Sequence, residues 1–353
     1  MSDHSRPPVF IWLEGQGDNL GDSLLRRAYG NALREVGPLH VWAGRRNDYR
    51  SGLGLLPGDK SYGSYLAWIT KAYWLVGRRH AVVALNAGEF VMSKRYGAEL
   101  LGILPLVALA RVLRRPVIWA GAGIPRQRPT AARVFRLLAL LSSRVWWRDA
   151  VTSRQVALAA TMPDWGFASA SQPPDESERD ALGLVMRGDR TWPSDRWLQS
   201  IADAAERLGL RPVVIVQVQR DEVRARELAV RLGAEMVAWA GGDHLSEEAR
   251  VRSAYRRCRI VIGDRLHALI VAASEGAVPL GWCEAANEKI LRHFSVVDAA
   301  WVAPAGDPAS QLSSLDPDVV RELLDATHLM MKRARDELAS VGATIQLVAS
   351  RPA

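Results

Sequence analysis

The 353 residues, 48% hydrophobic and 24% charged, suffice for two ordinary globular domains and exclude one long disordered region. The only cysteines, Cys258 and Cys283, lack the spacing of a zinc site or a disulfide framework, which points to a reducing cytoplasm. The net charge of +8 is uneven: residues 1–164 hold 23 Lys and Arg against 11 Asp and Glu, whereas 165–353 hold 23 against 27.

The apolar run Val9 to Leu13 is too short for a secretion-signal core and reads as a buried strand. It leads through the glycine-rich turn EGQGDNLGDSLL, residues 14–25, into a helix expected over Ser23 to Val36. Ala81 to Leu85 and Val117 to Ala120 read as further strands, and Ala98 to Arg114 as the helix between them, stopped by Pro116. Its apolar stretch, Leu100 to Ala110, contains Pro105 and falls short of the ~20 residues of a bilayer span. The segment from Arg126 to Arg144 alternates Arg with apolar residues at helical spacing, a pattern suited to resting on an anionic membrane surface. DWGFASASQPPDESERD, residues 164–180, has the composition of a solvated linker. Alternation then resumes with strand Leu182 to Met186, helix Ser194 to Gly209, strand Pro212 to Val218 and helix Asp221 to Leu232. A helix from Leu245 to Cys258, capped by Ser246, precedes strand Ile260 to Ile262, and Asp318 to Ser340 reads as a long final helix.

This alternation predicts an α/β protein of two doubly wound Rossmann-like domains facing each other across a cleft. Their expected bounds are 1–168 and 182–353, joined by a linker at 169–181, with the last helix packing back on the first domain. Ligands of such sheets bind at the carboxyl ends of the strands, so the loops after strands are the candidate sites.

Two loops stand out. In the first, Gly15, Gly17 and Gly21 let backbone amides at a helix start face an anion. The bland alternative is that Asp22 caps the helix and Asn19 turns the loop. Neither a dinucleotide fingerprint nor a P-loop is present. The second is IVIGDRLHALIVAASEGAVPLGW, residues 260–282, where Arg265 offers a planar donor fork and His267 can move a proton near neutral pH. Asp264 beside them is expected to cap the helix. No zinc-finger or aromatic-basic RNA-binding pattern accompanies the basic half, which sets nucleic acid aside as a partner.

These two loops carry a resemblance to the polysaccharide pyruvyl transferase family, whose members have a Gly-Asn-x-Gly-Asp turn and an Arg-Leu-His helix start. The matching residues are Asn19, Gly21 and Asp22, then Arg265, Leu266 and His267. Between them AGAGIPRQRP (120–129), WWRDAVTSRQ (146–155) and GLVMRG (183–188) resemble the family's intermediate segments. The turn departs from the pattern by the extra acid in Gly17-Asp18-Asn19, and after Gly281 the segment WCEAANEK leaves Lys289 as the equivalent basic residue.

The resemblance implies a GT-B-like fold, phosphoenolpyruvate as donor substrate, a saccharide acceptor that can be lipid-linked, and no metal or other cofactor. It implies a catalytic set of His267, Arg265 and Asp22. Asn19, Gly21, Gly121, Gly123, Arg148, Arg187 and Lys289 then form the substrate-binding set, with Asn19 and Asp22 positioning the sugar hydroxyl from the opposite domain. Read from the residues alone, Arg187 can instead pair with Asp189, Arg148 can order its own loop, and Gly121 and Gly123 can simply turn the chain. Trp282, near the Arg-Leu-His helix, is the expected sugar-stacking platform. The expected location is the cytoplasm, with peripheral contact at the inner face of the membrane. The rival readings are a GT-B glycosyltransferase using a nucleotide sugar and a non-catalytic saccharide-binding protein.

Overall fold

Short buried strands, each followed by a helix with one apolar face, can pair only in parallel, because each crossover must return the chain to the same end of the sheet. Residues 6–44, 47–78, 80–90, 94–124, 129–156, 159–169, 176–283 and 288–350 are described in the computed structural model, and they follow this rule throughout. The chain divides into two units. The first holds residues 1–17, 22–165 and 336–353, and the second 18–21 and 166–335.

In the first unit the order is β1 (Val9–Trp12), α1 (Leu20–Arg34), β2 (Leu39–Trp42), α2 (Asn47–Ser51), β3 (Lys60–Ser61), α3 (Tyr65–Arg78) and β4 (Val82–Ala84). Then come β5 (Gly88–Glu89), α4 (Lys94–Val112), β6 (Val117–Gly123), α5 (Pro129–Leu141), β7 (Arg144–Trp147), α6 (Ala150–Val156) and β8 (Ala160–Thr161). The strands form one parallel sheet in the order β3-β2-β1-β4-β6-β7-β8, with β5 on β6. Phe10, Trp12, Trp42, Trp119 and Trp147 project from one sheet face into a core closed by α3, α4 and α5 through Trp68, Leu106 and Phe135.

The second unit runs β9 (Ala181–Val185), α7 (Asp195–Arg207), β10 (Arg211–Ile215), α8 (Glu222–Leu232), β11 (Glu235–Val237) and α9 (His244–Arg257). It continues with β12 (Cys258–Gly263), α10 (Leu266–Ser274), β13 (Val278–Leu280), α11 (Glu288–Phe294) and α12 (Pro308–Ser313), and ends in α13 (Pro317–Ala349), whose residues from 336 onward belong to the first unit. Its sheet order, β11-β10-β9-β12-β13, is wholly parallel. Strand order reverses between β1 and β4 in the first unit and between β9 and β12 in the second, which is where doubly wound sheets open a crevice for a ligand.

Several local expectations change. Asp243, not Ser246, caps α9, accepting from the amides of Leu245 and Ser246, because the helix begins at His244 and Ser246 already lies inside its first turn. Cys258 opens β12 rather than closing a helix. Of the expected linker, residues 170–175 lie outside the described ones, and Glu176–Glu178 form a short 3-10 turn. Residues 126–128 of the Arg-rich segment also lie outside, and the remainder forms α5 and the start of β7.

Candidate active site

The loops after β9, β10 and β12 in the second unit are stitched together by two aspartates. Arg265, which follows β12, donates from Nε and Nη2 to the two carboxylate oxygens of Asp221 at 2.7 and 2.5 Å. Asp221 Oδ1 also accepts from the amide of Gly188, in the loop after β9, at 2.8 Å. Asp264 Oδ1 accepts from the amide of Arg187 at 2.8 Å, and its carboxyl is pushed up by burial. Asp264 therefore joins two strand ends instead of capping α10, whose N-cap is Arg265.

The turn 18–21 belongs to this unit although its sequence neighbours belong to the other. Asn19 forms an antiparallel bridge with Val218, and the amide of Gln219 donates to the Asp18 carbonyl at 2.8 Å. Arg220 pairs with the Asp18 carboxylate at 2.5 Å. Asn19 Oδ1 accepts from the amide of Gly21 at 3.1 Å, so Asn19 turns the chain into α1. The half-buried ring of His267 then lies directly on Gly21. A methyl group at that position would stand 2.4 Å from Nδ1 and 2.5 Å from Cγ of the ring, closer than any packed side chain tolerates. Asn19, Gly21, Arg265 and His267, separated by some 240 residues of sequence, are thus brought to one place.

Arg187 stands beside them with its Nε and Nη2 on the Asp189 carboxylate at 2.8 and 2.6 Å, the pairing that the sequence left open. The Asp189 carboxylate keeps Arg187 protonated more firmly than usual, while the guanidinium holds the carboxyl of Asp189 well below its usual range. Lys289 lies in the first turn of α11, half-buried, after residues 284–287, which are outside the described ones.

The first unit holds the other expected residues. Asp22 Oδ2 accepts from the amide of Gln16 at 2.8 Å, and its carboxylate lies 3.6 Å from Arg26. Arg26 in turn donates to Asn86 Oδ1, and Asn86 to the Glu14 carbonyl, so the loops after β1 and β4 are tied at the strand-order reversal. Gly121 adopts φ +85°, and a side chain there would strike Trp165 at 2.6 Å. A Cβ at Gly123 would meet Arg148 Nε at 2.6 Å. Arg148 is 1% exposed and donates to Asp164 at 2.9 Å and Glu89 at 3.1 Å. Both glycines are required by this inner packing, and buried Arg148 is held between buried Asp164 and half-buried Glu89.

Trp282 does not form a sugar platform: it is 8% exposed inside the second core, its carbonyl accepting from Trp197 Nε1. Sequence reasoning also missed Asp221, Arg26 and Asn86. Asp221 could have been suspected only as an acid after a strand, the position that Arg265 itself occupies. Among the described residues no group of three His, Cys, Asp or Glu side chains gathers as metal ligands.

Two parallel doubly wound units, each with polar loops at its strand-order reversal, define a GT-B-like α/β protein. The model of the family described as polysaccharide pyruvyl transferase matches residues 19–279. The chain belongs to this family of transferases. In structure it is similar to the UDP-GlcNAc 2-epimerase of Neisseria meningitidis bound to UDP-GlcNAc, at TM-score 0.56 and 10% identity, over 96% of this chain and 99% of that one. An O-GlcNAc transferase mutant of Thermobaculum terrenum is similar at TM-score 0.51 and 12% identity, over 99% of this chain and 68% of that one. At such identities the likeness establishes the fold alone. Comparison with curated proteins finds no match. Among the described residues, no helix is long and apolar enough to cross a membrane.

Proposed function

We propose that this family member transfers the pyruvyl group of phosphoenolpyruvate to two hydroxyls of a sugar, in a cell-surface polysaccharide or its lipid-linked precursor. The products are a cyclic ketal and inorganic phosphate. The observation that supports this most is the seating of His267 on Gly21, two residues from a guanidinium fixed by Asp221.

The donor needs a proton at its methylene carbon while a sugar hydroxyl adds to C2 and gives up its own proton. Phosphate then leaves C2, and the second hydroxyl closes the ring as its proton departs. The two hydroxyl protons balance the one gained by carbon and the one carried away by phosphate. His267 is assigned the proton transfers, since an imidazole can both give and take near neutral pH. Arg265 keeps its Nη1 edge for the anionic donor, its other edge being occupied by Asp221.

Arg187 is the second anion ligand. Its partner Asp189 is 59% exposed, and an exposed ion pair contributes only ~0–1 kcal/mol, so a donor carboxylate or phosphate can replace it. Lys289 is assigned to the donor phosphate, and Asn19 and Asp22, three residues apart on one turn, to the acceptor. The chemistry needs no metal or redox cofactor, because the enol phosphate carries its own leaving group. The reaction is assigned to the cytoplasm, where phosphoenolpyruvate is made.

Thermal-shift titration with phosphoenolpyruvate, UDP and GDP tests the donor, since selective binding raises apparent stability. Stabilisation by phosphoenolpyruvate that Arg265→Ala abolishes is expected, with His267→Ala retaining binding but losing turnover by roughly 10²–10⁴-fold. Stabilisation by a nucleotide alone would sink the proposal and favour a nucleotide-sugar transferase.

A further inference from the structure

Between Lys60 and Arg148 the sequence holds 15 Lys and Arg and two acids, Glu89 and Glu99. Neither acid offers an exposed counter-charge: Glu89 pairs with Arg148, and Glu99 is 8% exposed. This stretch builds α3, α4 and α5, which pack side by side over one face of the first unit's sheet. Their outer surfaces expose large apolar side chains: Leu66, Trp74, Leu101, Val112 and Leu140 are 71, 41, 75, 78 and 56% exposed. Lys71 and Arg78 flank the Trp74 ring at 4.1 and 5.1 Å, and exposed Arg133 and Arg136 lie on α5.

At the carboxyl end of α4 the same unit contains a cavity of about 500 Å³ lined by Arg111, Arg114, Arg115, Arg144, Thr344 and Leu347, among others. It lies by the amino ends of β6 and β7, away from the strand ends that carry Gly123 and Arg148. Among the described residues Arg111, Arg114 and Arg144 make no ion pair, although like charges gathered without counter-charge repel. Arg114 holds φ +54°, the left-handed conformation that usually ends a helix on glycine, so a guanidinium stands where a smaller residue would be less strained. Arg115 donates to His80 Nδ1, whose Nε2 donates to the Ala349 carbonyl, tying the end of α13 into the cavity wall.

We propose that this face docks on an anionic phospholipid membrane, with a lipid phosphate in the arginine cavity and the apolar side chains of α3, α4 and α5 in the interfacial layer. Exposed Leu, Val and Trp interleaved with unneutralised Arg match a surface that is anionic outside and apolar beneath. A nucleic acid would answer the charge but not the apolar surface. The inference stands on the first unit alone and holds whatever the donor proves to be.

Co-sedimentation of the full chain with vesicles of phosphatidylcholine, with and without phosphatidylglycerol, tests it. Wild type is expected to bind the anionic vesicles on the order of tenfold or more tightly than the neutral ones, and Arg111→Glu/Arg114→Glu/Arg144→Glu to lose that preference. Leu101→Ser/Leu140→Ser is expected to weaken binding several-fold at the same salt, a loss that charge alone does not explain. Melting curves show whether the variants fold, and glutamine at the three arginines serves if glutamate does not. Equal binding to both vesicles, no binding, or an unaffected arginine triple overturns the proposal. So does tighter binding to duplex DNA than to anionic vesicles, and so does stabilisation by soluble glycerol phosphate in a chain that ignores vesicles.

Discussion

Arg148 and Arg187 occupy like positions in their units, each just beyond the carboxyl end of a parallel strand, and the structure gives them opposite circumstances. Arg148 is 1% exposed between Asp164, equally buried, and Glu89. Arg187 is 26% exposed and faces one carboxylate that solvent reaches freely. A buried guanidinium with two carboxylates cannot exchange partners without leaving charge unsolvated, whereas a surface pair exchanges at little cost. An arginine after a strand is therefore a ligand candidate only when its present partner is dispensable, and sequence does not record that.

Substitution tests the contrast directly. Arg148→Ala should cost the most, about 3–5 kcal/mol of unfolding free energy in denaturant titration, because it breaks a buried ion pair by removing the guanidinium from Asp164. A stable Arg148→Ala protein with a raised donor KM would reverse the assignment. Gly21→Ala comes next: its methyl group must displace the His267 ring, and kcat should fall on the order of 10–100-fold while donor affinity holds. Arg187→Ala should raise donor KM by about tenfold with stability changed by less than about 0.5 kcal/mol. Asp189→Asn sharpens this, since releasing Arg187 should leave KM unchanged or lower it.

The remaining effect concerns pH. His40, buried against Phe10 and Tyr62, has its pKa lowered to about 4 by burial and by Lys60 and Lys71. The unfolded chain then binds the proton first, so stability is complete above about pH 6.5 and declines as pH falls toward 4. A His40→Gln protein should show a shallower fall in melting temperature across that window.

Much of the architecture was legible because strand and helix periods are local. Val9–Trp12, Ala181–Val185 and the helices after them can be read from a dozen residues each. The Arg265 and His267 pair was legible for the same reason, as two polar residues at the start of an apolar helix. What pairs with them was not. Asp221 lies 44 residues upstream of Arg265 and reads as a helix start, and the bridge from Asn19 to Val218 joins segments 199 apart. Trp282 illustrates the opposite error: nearness in sequence to a functional motif says nothing about which way a ring faces, and this one faces the core.

The division of the chain also bears on its synthesis. The path leaves the first unit after residue 165 and re-enters it at 336, midway along α13. A ribosome therefore makes most of the first unit first but supplies its last helical turns only after the whole second unit has emerged. Neither unit can be isolated by a single cut, and a circular permutant that moves residues 336–350 ahead of Val9 would let the first unit finish before residues 166–335, the bulk of the second, are made.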